Sequence, residues 1–250
     1  MIGLVTLIDF SPLGPILRST SGSAVPWILA AVQWGLFVAP TVNSCRSEGY
    51  DLRRTFGIQT CSLLDVLASA AVGASLWAVL TAAIAARVAA DGGVQLPSSE
   101  SVVIADLLFS RPTSVAEWAS LLTSAGVSPG VAEELLFRGF LLTSLRQGLG
   151  RVDAVVLCAA LFGLFHLSVP QFFPTTVLGI AAGVSAIASG SVVGPIAVHT
   201  AHNVAALLYG GVAPGHVSGL PLPVAAGGAF TLALSGAYLF VRARTATRAD

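Results

Sequence analysis

SLLDVLASAAVGASLWAVLTAAIAARV, residues 62–88, is long and apolar enough to cross a lipid bilayer as a helix. A crossing helix needs roughly 20 mainly apolar residues, because the hydrocarbon layer is about 30 Å thick and each residue advances the helix by about 1.5 Å. The same template fits residues 26–42, 128–147, 152–168, 172–189, 191–209 and 223–241. The expected fold is therefore all-α, a polytopic transmembrane helix bundle of about seven to eight spans. MIGLVTLIDF at the start, and VVIADLLF followed by VAEWASLL, are shorter or amphipathic. They read as interfacial helices or as one additional, irregular span near residues 102–125.

Composition supports this reading. Of the 250 residues, 55% are hydrophobic and only 10% charged, and the mean hydropathy is +0.85. A soluble domain carries about 25% charged residues, so an integral membrane protein is expected. Net charge is zero and every basic side chain is an arginine, which gives no footprint for nucleic acid. Membrane lipid is the expected surrounding partner, and the lysine-free, alanine-rich chain points to a prokaryotic cell membrane. Cys45, Cys61 and Cys158 form no C-x-x-C pair and read as small apolar residues. The first twenty residues lack a basic region and a cleavage site, so they are expected to be retained.

No internal repeat, soluble domain or low-complexity linker interrupts the chain, which reads as one membrane domain. Residues 1–25 form an N-terminal segment, residues 26–112 carry the first helices and loops, and residues 211–250 hold the last helix and an arginine-containing tail. Ser128 and Pro129 suit the N-cap and first position of a helix, and Gly148 and Gly150 suit its exit. Pro170 and Pro174 bracket an expected turn, and Gly190 and Gly194 mark another. With seven spans, the loop arginines Arg46, Arg53, Arg54, Arg146, Arg151, Arg242, Arg244 and Arg248 all fall on one side, the cytoplasmic one. Arg18, Arg87 and Arg111 fall opposite.

Charge inside the spans is concentrated in VAEELLFRGF, residues 131–140. Three ionised groups near mid-membrane would cost about 8–10 kcal/mol on translocon scales, so pairing or a water-filled cavity is required. At about 100° per residue, Glu134 and Arg138 lie on one face at ion-pair spacing, whereas Glu133 sits about 140° from Arg138. Glu133 is thereby left to face a cavity as a general base. Starting the helix at Ser128 puts Glu133 only about 7 Å into it. His166, in LFGLFHL, shares a face with Phe162, and His199 shares one with Asn203 in AVHTAHN. His202 borders the same face, and His216 lies in a loop. Alone, a membrane histidine or asparagine more often bridges helices. Together, at compatible depths, Glu133, His166, His199 and Asn203 point to a site.

EELLFR, FGLFH and HTAHN, in this order on three hydrophobic helices, resemble the E-E-x-x-x-R, F-x-x-x-H and H-x-x-x-N motifs of the CPBP family. That family, also called Abi, comprises type II CAAX prenyl endopeptidases and bacteriocin-processing or immunity proteins. The resemblance implies a catalytic core over residues 113–210 and intramembrane hydrolysis of a peptide bond in a peptide or protein substrate. It implies that Glu133 and His166 activate a water molecule, and that His199 with Asn203 stabilises the oxyanion or helps hold a metal. Phe162 would pack beside His166, and Arg138 would hold Glu134. Glu133, His166 and His199 could bind Zn²⁺, but no H-E-x-x-H helix is present and a metal-free glutamate mechanism fits equally. The alternatives are a non-catalytic immunity or scaffold protein and, with less support, an ion transporter.

Overall fold

The structure is a computed structural model that describes residues 24–90, 112–212 and 220–246. MIGLVTLIDF, VVIADLLF, Arg18, Arg111, His216 and Arg248 lie outside the described residues. Eight helices and no strand occur among the described residues: α1 (25–47), α2 (Leu52–Thr55), α3 (Leu63–Ala90), α4 (115–145), α5 (Arg151–Phe165), α6 (Val169–Ser189), α7 (Val193–Val212) and α8 (Leu222–Ala246). The seven long helices overlap the seven segments expected to span, with α4 beginning thirteen residues before the segment expected at 128–147. Among the described residues, four stretches are long and apolar enough to cross a bilayer by length and composition: Trp27–Ser47, Leu63–Arg87, Gln171–Ser189 and Leu222–Ala246. On α8, Phe230 and Leu234 are 67% and 60% exposed, an apolar surface of the kind that lipid covers favourably.

The start of α4 departs from the sequence reading. It begins at Val115, where Ser114 accepts from the Glu117 amide and Glu117 Oε2 accepts from the Thr113 amide at 2.6 Å. This is the logic of a capping box. Ser128 and Pro129 therefore lie inside the helix, and VAEWASLL forms its first two turns. Pro129 is tolerated because the preceding turn, Leu122–Val127, widens so that the Ser128 amide reaches Thr123 O. The wide turn relieves the clash a proline ring makes with the carbonyl four residues back. The same device precedes Pro40, where Trp34–Val38 widens and the Ala39 amide reaches Trp34 O. A third wide turn, Leu135–Leu141, carries Arg138.

Pro170 and Pro174 are likewise inside α6, Pro170 in its first turn, rather than on either side of a turn. Gly190 ends α6 in the left-handed region at φ 63°, as expected, but Gly194 lies in the first turn of α7. Leu167, just past α5, is the one non-glycine residue at positive φ among the described residues, at 50°.

Pairings fix the helix directions. Trp27 Nε1 donates to Ser120 Oγ and Trp34 Nε1 to Ser128 Oγ, so α1 and α4 run parallel. Asp65, at the start of α3, accepts from Tyr238 and Arg242 near the end of α8, so these two run antiparallel. Helix α3 packs most extensively on α7 and α8, and α5 on α6. Val72, Phe137, Phe162, Leu178, Val198 and Leu239 share one core.

Without a hydrophobic drive between helices in lipid, close backbone approach has to supply the packing. Gly73 meets Val198 O so closely that a Cβ would collide with backbone, whereas Gly236 has nothing within 4 Å of a Cβ. Gly73→Ala is therefore expected to destabilise the protein by about 1–3 kcal/mol through overpacking, and Gly236→Ala should not. Thermal unfolding of both variants in detergent checks this. Equal melting temperatures would show that α3 and α7 are not held at backbone contact.

Candidate functional site

The site is assembled around Arg138. Its Nη1 donates to both Glu134 oxygens, at 2.7 and 2.8 Å, so the expected i,i+4 pair is present. Both side chains are almost wholly buried. A buried pair needs further hydrogen bonds to offset its desolvation. Arg138 Nη2 finds one on Gly179 O of α6 at 2.9 Å, and the guanidinium stacks on Phe162 of α5, 4.6 Å from the ring centroid. Gly179 is needed there: a Cβ would stand 3.1 Å from Nη2 and 3.0 Å from Ala159. One arginine thus ties α4 to α5 and α6.

Glu134 reaches a fourth helix. Its Oε1 lies 2.8 Å from His199 Nδ1 of α7. A carboxylate paired with Arg138 can only accept, so Nδ1 carries the hydrogen and Nε2 faces away from Glu134. His199 Nε2 stands 3.9 Å from Glu133 Oε2. The neighbouring glutamates therefore address the two nitrogens of one imidazole, a relation their different helical faces do not suggest.

Glu133 is buried, 5% exposed. Gln33 Nε2 of α1 donates to its Oε1 at 2.8 Å, and Oε2 is buried without a hydrogen-bond partner among the described residues. Gln33 is absent from the sequence reading of the site. The available signal was an isolated amide in the apolar run AVQWGLF, since a buried polar group in a span needs a partner.

His166 caps α5, with Nδ1 2.9 Å from Phe162 O. The carbonyl can only accept, so Nε2 is the nitrogen left for chemistry. The Phe162 ring lies edge-on to both imidazoles, with centroids 4.9 Å from His166 and 5.6 Å from His199. Phe162 thus packs between the two histidines, and Phe137 extends the aromatic wall. Asn203, one turn beyond His199, turns its amide to Gly126 O at 3.5 Å, in the wide turn of α4. His202 Nδ1 is buried and without a hydrogen-bond partner among the described residues.

One correction to the sequence reading follows. Glu133 is eighteen residues beyond Val115 and twelve before Leu145, or about 27 and 18 Å along α4. It therefore sits well inside the helix and is buried, not about 7 Å from its start. Among the described residues no three His, Cys, Asp or Glu side chains come together as a metal-holding set.

Residues 115–205, a little over a third of the chain, match the family described as Rce1-like, Type II CAAX prenyl endopeptidase Rce1-like. The matched segment contains EELLFR, FGLFH and HTAHN. No curated protein and no solved structure matches the chain. Together with the four apolar helices of spanning length, the match identifies an integral membrane protein.

Proposed function

We propose, from the match of residues 115–205 to the Rce1-like family of type II CAAX prenyl endopeptidases, that the protein hydrolyses a peptide bond with water activated by Glu133 and His166. The observation that carries this is the state of Glu133: one oxygen is held by Gln33, and the other is buried, unengaged and 3.9 Å from His199 Nε2. A general base needs a fixed carboxylate with a free lone pair in a low-dielectric site. This carboxylate has both properties.

In the proposed reaction Glu133 Oε2 takes a proton from water as the oxygen bonds to the substrate carbonyl carbon. His166, through Nε2, holds the water in line. The carbonyl oxygen becomes an oxyanion, which accepts hydrogen bonds from Asn203 Nδ2–H and from Nε2–H of a His199 ring that carries both of its protons. Collapse of the intermediate breaks the C–N bond, and Glu133 returns its proton to the leaving nitrogen. Glu134 and Arg138 act indirectly, by holding the His199 ring so that Nε2 faces the reacting atoms. The substrate class is a membrane-presented protein or peptide, and a C-terminal CAAX segment is what the family name implies.

The test is cleavage by the purified protein in nanodiscs of two substrate sets, a prenylated CAAX peptide and a library of unprenylated membrane peptides. Cleavage of either that survives exhaustive chelation is expected, because the reaction is assigned to side chains. Activity lost on chelation and restored by Zn²⁺ would replace the side-chain mechanism with a metal one. No cleavage of any substrate, with wild-type function kept by a Glu133/His199 double variant in the native membrane, would favour the immunity or scaffold reading. Ion flux in proteoliposomes without proteolysis would favour transport.

A further inference from the structure

At the end of the bundle where α1, α4, α6 and α8 terminate, a cavity of about 430 Å³ opens among loops that are far apart in sequence. Ligand-binding clefts span about 300–1,000 Å³, so this one has room for a small polar molecule. Its lining includes four arginines, Arg54, Arg138, Arg146 and Arg151, and no carboxylate. The buried Arg138 contributes to the floor and the exposed Arg54 and Arg146 to the rim. Arg138 Nε is buried without a hydrogen-bond partner among the described residues.

The enclosure is built. The Val192 amide donates to Gly57 O at 2.9 Å, and Ser191 Oγ donates to Gln59 O at 2.6 Å. These two bonds pin the loop after α2 to the turn between α6 and α7, and Gly57, Gln59, Ser191 and Val192 all line the cavity. Gly57 adopts φ 61°, which lets the chain bend there. The α2 turn that carries Arg54 is itself capped by Asp51, whose Oδ1 accepts from the Arg54 amide.

Arg138 is already paired with Glu134, so the charge that calls for an anion is that of Arg54 and Arg146 at the rim, beside a lining that holds no carboxylate among the described residues. Planar, forked donors match phosphate oxygens, and basic pockets between spanning helices on the cytoplasmic side suit anionic headgroups. We propose that this cavity binds a phosphate-bearing anion, either the headgroup of an anionic lipid or the free ion. The site is separate from the peptide-cleaving one, but Arg138 belongs to both walls: it lines the cavity and holds Glu134. Occupancy of the cavity therefore bears on the arginine that frames His199.

The test uses the full chain in mixed micelles, with phosphatidylglycerol and phosphatidylcholine as probes and binding read by native mass spectrometry. Saturable, salt-sensitive binding of phosphatidylglycerol in preference to phosphatidylcholine is expected. In the Arg54→Gln/Arg146→Gln double variant the affinity should fall roughly 30-fold, from about fivefold per arginine near a membrane surface. Displacement of the lipid by inorganic phosphate would assign the site to the free ion, and retention of the lipid would assign it to the headgroup. Equal binding of the two lipids, or unchanged affinity in a double variant whose melting temperature matches wild type, would overturn the proposal.

Discussion

Glu133→Gln should leave the protein folded and reduce kcat for peptide cleavage by roughly 10²–10⁴-fold, the range contributed by a positioned general base. The substitution keeps side-chain volume, and an amide oxygen can still accept from Gln33 Nε2, now 2.8 Å from Oε1. What disappears is the carboxylate oxygen that takes the proton. A companion variant separates positioning from base chemistry. Gln33→Leu removes the donor that fixes Oε1 but keeps the carboxylate, so its expected loss is about tenfold, the value of one hydrogen bond to a charged group. It should also alter the pH profile, which a purely structural role for Gln33 would not. Cleavage by Glu133→Gln at the wild-type rate, with an unchanged melting temperature, would remove Glu133 from the base role.

The helices were legible in the sequence because lipid leaves little choice: any spanning segment must satisfy its own backbone, and seven apolar runs of suitable length announce seven long helices. The start of α4 was not legible. Pro129 after Ser128 is a good helix start in isolation, but Ser114 and Glu117 cap the helix fourteen residues earlier and a widened turn absorbs the proline. Local sequence reports the ring constraint of proline, not whether the helix widens to meet it.

The same boundary separates what was read and missed at the site. The Glu134–Arg138 contact is local, four residues apart, and helical spacing gave it directly. The Glu134–His199 contact spans 65 residues and the Gln33–Glu133 contact 100. Such pairings depend on which helices become neighbours, and periodicity within one helix carries no information about that. Here the parallel packing of α1 on α4, held by Trp27 and Trp34, brings Gln33 to Glu133.

Arg138→Met should be the most destabilising single substitution at the site, by about 3–5 kcal/mol. It removes both hydrogen bonds to a Glu134 carboxylate that is 0% exposed, the bond to Gly179 O and the stacking on Phe162. His199 Nδ1–H remains as a partner of Glu134, too little for a buried charge. The double variant Arg138→Met/Glu134→Leu takes away the stranded carboxylate as well, and apolar replacement of a whole buried pair is often neutral. Its melting temperature should therefore recover toward wild type. Cleavage should not recover, because His199 has lost the acceptor that orients its ring. Thermal unfolding and peptide cleavage measured on the same three proteins separate the two roles. A double variant that is both stable and active would mean that the Glu134–Arg138 pair serves the fold alone. A stable but inactive one would mean that the pair holds His199 in place for the chemistry at Glu133.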